Sequence, residues 1–349
     1  MSVTTSFPGV YIAESDSPTF SVSTAPTAIP LFSMNADFSS TAVRFESYME
    51  VARYFGADLD VKRPAIAGLR AYFEAGGGPC YAVSHDYLEQ EASSLGSTIS
   101  LVVANAFDII PEFSSLDVAD GLFFILDGPE EELTIQSRPT NLGSSALAAA
   151  YYPWLKARWT DADIAPSAVV AALYGQNDRT RGVWKAPANI ALPASLKPKY
   201  QVTDDLQAEY MSAPAINMIR TFRDQNPVIW GARTLDESDD WRYVSVRRLF
   251  LSVERDIRKA MNTLMFESNV PHTWEKARSA VTSYLRSIWQ QGGLMGISEE
   301  EAFFVQIGKG VTMSDTDIAQ GKMIMKIGLA ASRPAEFIIL QFTQNFEGA

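Results

Sequence analysis

The most regular stretch of the chain is Tyr243–Phe266, where Val246, Leu249, Phe250, Val253, Ile257, Ala260, Met261 and Leu264 recur at helical spacing. Arg247, Glu254, Arg255, Arg258 and Lys259 lie between them, which predicts an amphipathic helix with these charges on its polar side. A second helix is predicted after Pro271. Trp274, Ala277, Val281, Tyr284, Leu285 and Ile288 form its stripe, Thr273 is placed to cap it, and Gly292-Gly293 ends it.

Upstream, apolar runs alternate with helical patterns from Ile29 to about Asn189, the mark of an α/β region. Ala28–Met34 reads as a strand, Ser47–Phe55 as a helix ended by Gly56, and Ala65–Ala75 as a helix closing on Gly76-Gly77-Gly78. Cys80–Val83, Ile99–Ala104, Gly121–Asp127 and Pro166–Tyr174 carry strand or short-helix signals. A Pro- and Ala-rich stretch, Lys185–Pro198, marks the exit from this region. Met218–Arg223 then reads as helix or strand and Val228–Ala232 as a buried strand. The last fifty residues return to an extended pattern over Ala302–Ile307, Lys322–Leu329 and Glu336–Phe346.

Both ends of the chain are β-prone. Phe7–Glu14 is strand-like, and Ser15–Pro30, with four Ser, three Thr and three Pro, reads as an extended linker. The N-terminal strand has no hairpin partner next to it, so it must pair with a distant part of its own sheet or with another subunit, while Pro334 separates the last strand from the one before and leaves it free to pair elsewhere.

Composition narrows the function. The 349 residues carry 29 Lys+Arg against 41 Asp+Glu, a net charge of −12 with no basic block, which excludes a phosphate-neutralising nucleic-acid binder. One cysteine, Cys80, excludes an intramolecular disulfide and a multi-thiolate zinc site, and is most simply a buried strand residue. The apolar runs are strand-sized and the N-terminus has no basic cluster ahead of an apolar stretch. Neither a membrane span nor a signal peptide is expected.

Candidate chemistry is sparse. His85 and His272 stand alone, no Gly-x-Ser-x-Gly stretch occurs, and the glycine clusters at 76–78 and 308–310 lack P-loop spacing. Glu130–Glu132 reads as a solvated loop and Glu299–Glu301 as a helix N-terminus. No cofactor is expected. These features favour a protein that works by assembling with copies of itself, since an exposed strand edge is a hazard to a monomer and a linkage in a polymer.

A resemblance sharpens this reading. Phe7-Pro8-Gly9-Val10-Tyr11, Gly76-Gly77-Gly78-Pro79-Cys80-Tyr81, Arg181-Gly182-Val183-Trp184-Lys185-Ala186-Pro187-Ala188-Asn189, Val228–Leu235, Tyr243–Phe250 and Pro334–Phe337 resemble contractile tail sheath proteins, in family order along nearly the whole chain. The nearest likeness is to sheath subunits of extracellular contractile injection systems of the antifeeding-prophage and Photorhabdus virulence cassette type.

The resemblance implies a mixed α/β and α+β chain. Residues 1–25 would be the N-terminal arm and linker, 26–235 a subtilisin-like α/β domain without the catalytic triad, 236–335 a tube-facing α+β domain, and 336–349 a C-terminal arm strand. It further implies arm strands that cross to neighbouring subunits, formed by Phe7, Pro8, Gly9, Val10, Tyr11 and Ile12 at one end and Phe337, Ile338, Ile339, Leu340, Gln341 and Phe342 at the other. Ser314–Gln320 resembles a tube-attachment helix, with Asp315, Asp317 and Gln320 as contacts. A plain N-cap with a helix-dipole carboxylate explains Asp315 and Asp317 equally well.

The implied partners are copies of the chain in a helical stack of hexamers, an inner tube protein, baseplate and terminal cap proteins, and sheath paralogues, with neither nucleic acid nor membrane insertion. Assembly in a bacterial cytoplasm and action in a released particle would follow. Three alternatives stand beside this reading: a contractile phage tail sheath, a baseplate-proximal sheath paralogue, and a hydrolase using His85 beside a serine and an aspartate.

Overall fold

The computed structural model describes residues 20–109, 121–136, 142–212, 214–223 and 225–336. Among these, the strands are β1 (Pro30–Met34), β2 (Val43–Phe45), β3 (Cys80–Ser84), β4 (Leu101–Val103), β5 (Phe123–Asp127), β6 (Ala148–Tyr152), β7 (Leu155–Ala157) and β8 (Thr160–Ile164). They continue as β9 (Ile190–Ala191), β10 (Leu196–Pro198), β11 (Ile216–Arg220), β12 (Val228–Trp230), β13 (Phe303–Ile307) and β14 (Met325–Leu329). The helices are α1 (Tyr48–Phe55), α2 (Pro64–Glu74), α3 (Leu88–Leu95), α4 (Pro166–Arg181), α5 (Asp204–Glu209), α6 (Val244–Asn262), α7 (Pro271–Gln290), α8 (Glu299–Ala302) and α9 (Asp315–Ala319).

The main sheet has the order β2-β3-β1-β4-β5-β6-β11-β12-β9. The six strands from β3 to β11 are parallel, and β2, β12 and β9 add antiparallel edges. A parallel sheet needs cover on both faces, and the strands supply apolar side chains to both. Phe32, Leu101, Val103, Phe123 and Ile125 face a core shared with α2 and α4, while Leu31, Val102, Phe124 and Leu126 face one shared with α3 and α5.

Cys80 is buried on β3, where burial pushes its thiol pKa well up. α1 and α2 match their expected spans, and Gly56 closes α1 at φ 54°. Pro166–Tyr174 is helical rather than extended, with Pro166 in the first turn, and the helix runs on to Arg181. Met218–Arg223 resolves to a strand, β11, paired parallel to β6.

α2 and α4 lie close enough that a Cβ on Gly68 would sit 3.3 Å from that of Ala168. It would also sit 1.9 Å from the side-chain oxygen of Asn105. Asn105 is fully buried at φ 50° and donates from Nδ2 to the Ser33 and Ala65 carbonyls, tying β1, β4 and α2 together.

Beyond the sheet, α6 and α7 pack with β13 and β14 around Val246, Leu249, Val253, Val281, Leu285 and Phe303. Three expectations need correction here. Thr273 does not cap α7: Val270 is the N-cap, Pro271 opens the helix, and Thr273 is buried in the first turn. The strand expected from Lys322 begins at Met325, because the Lys322 N–H is bonded to the Asp317 carbonyl and its own carbonyl accepts from Asn269 Nδ2. Ala302 likewise ends α8 instead of opening β13.

Candidate assembly site

The residues expected to form arm strands, Phe7–Ile12 and Phe337–Phe342, lie outside the described residues. The segments next to them are described, and each is held by a charged anchor. On the N-terminal side the Ser/Thr/Pro stretch is tethered from Val22 onward, rather than free along its length. Val22 packs against the α6/α7 core, Ala25 N donates to Asp256 Oδ1 at 3.2 Å, and Ile29 N donates to Ser100 Oγ at 2.9 Å.

Between these tethers lies a buried ion pair. Arg248 Nη2 donates to Asp178 Oδ2 at 2.6 Å and to the Thr27 carbonyl at 2.8 Å, while the Thr27 hydroxyl donates to the same Asp178 oxygen at 2.6 Å. The two ionic side chains are 3% and 5% exposed. The guanidinium also lies 4.6 Å from the centre of the Tyr174 ring. One carboxylate therefore joins the linker, α4 of the parallel-sheet region and α6 of the C-terminal region.

The C-terminal root is fixed by Glu336. Arg233 Nε donates to Oε1 at 3.1 Å, its Nη2 donates to Oε2, and its Nη1 reaches the Met211 carbonyl at 2.6 Å. The carboxylate raises the guanidinium pKa above its ordinary value. Residue 336 is thus anchored to the loop that follows β12.

Edge strands show where further strands can add. The main sheet ends in β2 and β9, of three and two residues, too short to template another strand. The three-stranded sheet β10-β7-β8 exposes β8, which carries Asp161 and Asp163. The antiparallel pair β13-β14 differs. Both strands are five residues long, both outer edges lack a strand partner among the described residues, and Lys326 is their one charged side chain. A two-stranded sheet is marginal by itself, so α7 backs one face while half-exposed Phe304 lies over Gly328 on the other.

α9 confirms a helix within Ser314–Gln320. Ser314 is its N-cap: Asp317 N donates to Ser314 Oγ at 3.2 Å, and Ser314 N donates back to Asp317 Oδ2 at 3.0 Å. This capping box lowers the Asp317 pKa, chiefly through the Ser314 hydroxyl. Asp315 projects into solvent and pairs with Lys309 at 2.6 Å, and Gln320 is the exposed C-cap. Of the three expected tube contacts, Asp317 is engaged locally, whereas Asp315 and Gln320 present outward. Replacing Ser314 by Ala is expected to destabilise this turn by about 1 kcal/mol. Hydrogen exchange would show faster exchange at Asp317 N with the rest of the chain unchanged.

The hydrolase alternative can be tested at the ends of the parallel strands. His85 Nδ1 lies 3.2 Å from Ser33 Oγ, but Ser33 is 0% exposed on a central strand, and the imidazole stacks on Phe107 at 5.2 Å. A second serine, Ser167, donates from Oγ to Asp127 Oδ2 at 3.0 Å and accepts from Asn105 N at 2.9 Å. It too is 0% exposed. Both hydroxyls join secondary-structure elements and neither offers a substrate an approach.

Burial outweighs three donated hydrogen bonds at Asp127 and pushes its carboxyl up to about 6, above its unfolded value near 3.9. The folded state then holds a proton that the unfolded chain has released. Stability contributed by this group is therefore fully present below about pH 4 and lost as pH rises through about 6, roughly 2–3 kcal/mol in all. Asp127→Asn removes that part of the pH dependence. Urea unfolding of both proteins between pH 4 and 7 checks this, and parallel profiles would refute it.

Among the described residues there is no group of three or more His, Cys, Asp or Glu fit to hold a metal, and no helix is long and apolar enough to cross a membrane. Among the described residues, ion pairs anchor the segment before Pro30 and Glu336, the β13-β14 sheet lacks a strand partner at both outer edges, and a capped helix lies at the surface. A family model for the phage tail sheath C-terminal domain matches residues 236–345. The chain is 49% identical, over 99% of both chains and with a TM-score of 0.91, to a chain of the PVC sheath complex of an extracellular contractile injection system in its contracted state. The chain belongs to the contractile tail sheath family.

Two further solved structures agree. A chain of the anti-feeding prophage baseplate in the contracted state is 43% identical with a TM-score of 0.87. One of the anti-feeding prophage helical sheath in the contracted state is 39% identical with a TM-score of 0.82. Each match covers 98% of this sheath subunit and 100% of the other chain. A search of curated proteins found no match.

Sequence reasoning missed the anchors of the sheath subunit. Arg248, Asp178, Arg233 and Glu336 are separated by 70 to 103 positions within their pairs. The available signal was weak: three arginines, Arg247, Arg248 and Arg255, on a helix whose apolar stripe extends past one face.

Proposed function

We propose that this sheath subunit polymerises as stacked hexameric rings around an inner tube and, on a baseplate trigger, repacks into a shorter sheath that drives the tube through a target envelope. The observation that carries the reading is the 49% identity over nearly the full chain with a sheath chain in its contracted state. No nucleotide is required, because the energy is the difference between two packings of one polymer.

Backbone ladders keep subunits connected while their globular faces slide. The two open edges of β13-β14 are the strands on which we place the arms of neighbouring subunits, Phe7–Ile12 from one and Phe337–Phe342 from another. Anchoring at Ala25–Thr27 and at Glu336 supports this, since it fixes where each arm departs. The parallel order of the main sheet supports a subtilisin-like domain over residues 26–235, with 236–335 as the tube-facing domain. Asp315 and Gln320 on α9 are its outward tube contacts, with Asp317 shaping the helix end.

Negative-stain electron microscopy of the purified protein, beside analytical sedimentation, tests the assembly. Hollow tubes of very large mass are expected, either alone or on co-expression with the tube and baseplate proteins. A persistent monomer under both conditions would refute it. A second reading, a baseplate-proximal paralogue, is favoured by the 43% identity with a chain of the anti-feeding prophage baseplate. Subunit stoichiometry in purified particles separates the two.

A further inference from the structure

Where the N-terminal linker passes from the C-terminal region to the main sheet it lines a cleft of about 1010 Å³. Clefts of up to about 1,000 Å³ bury drug-sized ligands, so this one has room for a short peptide. Residues 24–29 form part of the lining, and the rest comes from β2, the start of β3, the second half of α4 and the segment after it, α6 and α7. Its apolar part includes Val183, Trp184, Leu249 and Ile288. The Trp184 ring is held close to two glycines: a Cβ would lie 2.4 Å from it at Gly182 and 3.0 Å from it at Gly293.

The charged part of the lining is cationic. Arg44, Arg179 and Arg181 are all exposed, whereas the one carboxylate among the described lining residues, Asp178, is bonded to Arg248 and Thr27. Arg44 pairs with exposed Glu46 at 2.7 Å and Arg179 Nη2 donates to the Gly76 carbonyl at 3.1 Å, while Arg181 has no partner among the described residues. A cleft lined by one sign of charge draws in the opposite sign, and the rest of this chain is acidic, with a net charge of −12.

The sequence next to the cleft has the matching chemistry. No Lys or Arg precedes Arg44, and Glu14-Ser15-Asp16-Ser17-Pro18-Thr19 adjoins the first described residue, Phe20. Val22 packs on the same core as Val183, Leu249 and Ile288, so the chain is already at the cleft when it reaches this segment. Eight positions separate Asp16 from Thr24, a reach of up to roughly 28 Å. So short a tether holds the two carboxylates at a high effective concentration, which a second copy of the chain does not have.

We infer that residues 14–19 of the same chain seat in this cleft, with Glu14 and Asp16 facing Arg179 and Arg181 and Pro18 on the apolar wall. This goes beyond the sheath reading, since it holds for a single subunit: the N-terminal arm departs from the mouth of the cleft, and salt loosens its hold.

Cys80 is buried, so Ser15→Cys and Thr180→Cys place two reactive thiols in the full-length protein. A short bismaleimide is expected to link them within one chain, and a mixture of the two single-cysteine proteins is expected to give no link between chains. Glu14→Lys with Asp16→Lys is expected to cut the yield about fivefold, the worth of two exposed ion pairs, and adding Arg179→Glu with Arg181→Glu to restore it. A link only between chains would give the cleft to a second copy and overturn the inference. So would the absence of any link, or a yield that charge reversal leaves unchanged. The readout needs no tube, so it stands or falls apart from the sheath reading.

Discussion

Deleting Met1–Ala13 is expected to leave a folded subunit that sediments as a monomer and builds no tubes. The first tethers of the chain among the described residues are Val22 and Ala25, so the truncation removes no contact described for the three main cores. What it removes is the strand proposed to add to a neighbour's β13-β14 pair, and a polymer whose linkage is a backbone ladder cannot substitute side-chain contacts for it. Circular dichroism melting should match the full chain, while electron microscopy shows no hollow tubes where the full chain gives them. Tubes formed normally by the truncated protein would rule out the arm model.

Asp178→Ala is expected to cost about 3–5 kcal/mol of folding stability, the largest effect of any single substitution considered. It leaves the Arg248 guanidinium, 3% exposed, without its counter-ion, and removes the acceptor of the Thr27 hydroxyl. Both the linker and the contact between α4 and α6 lose their shared anchor. Urea unfolding followed by fluorescence measures the loss, and Asp178→Asn, which keeps an acceptor, should recover part of it. A loss below about 1 kcal/mol for the alanine variant would show that the joint does not depend on this pair.

Much of the fold was legible because local pattern and final environment agreed. The stripes of α6 and α7 are periodic enough to predict helices without context, and α2 ends on the glycine run as expected. β6 was not found: Ala148-Ala149-Ala150 has little intrinsic strand preference ahead of Tyr151-Tyr152, and the segment is extended between β5 and β11. Pro166–Tyr174 was ambiguous for the opposite reason. A helix buried nearly all round shows no polar face, so its apolar run looks like a buried strand.

The same reasoning explains the candidate site. Ser314 and Asp317 were readable because a capping box is a four-residue motif, and the structure shows that Asp317 serves it. That the outer edges of β13 and β14 lack a strand partner among the described residues was not readable, since strand neighbours are set by the whole fold. Arg247 and Arg255 were assigned to the polar side of α6, yet both are buried. Charge alone predicts exposure, and only the packing of the linker and main sheet over the helix reverses it.

By itself, then, the sequence determined what depends on neighbours along the chain: the α/β character, the two long helices, the lone buried cysteine, the capped surface helix and the family to which the motif blocks point. The tertiary structure decided what depends on residues brought together from far apart. Burial of Arg248 against Asp178, the clamp of Arg233 on Glu336 and the pairing of β13 with β14, without a further strand among the described residues, arise from contacts that no local periodicity encodes, because desolvation and strand pairing are set by what packs on top.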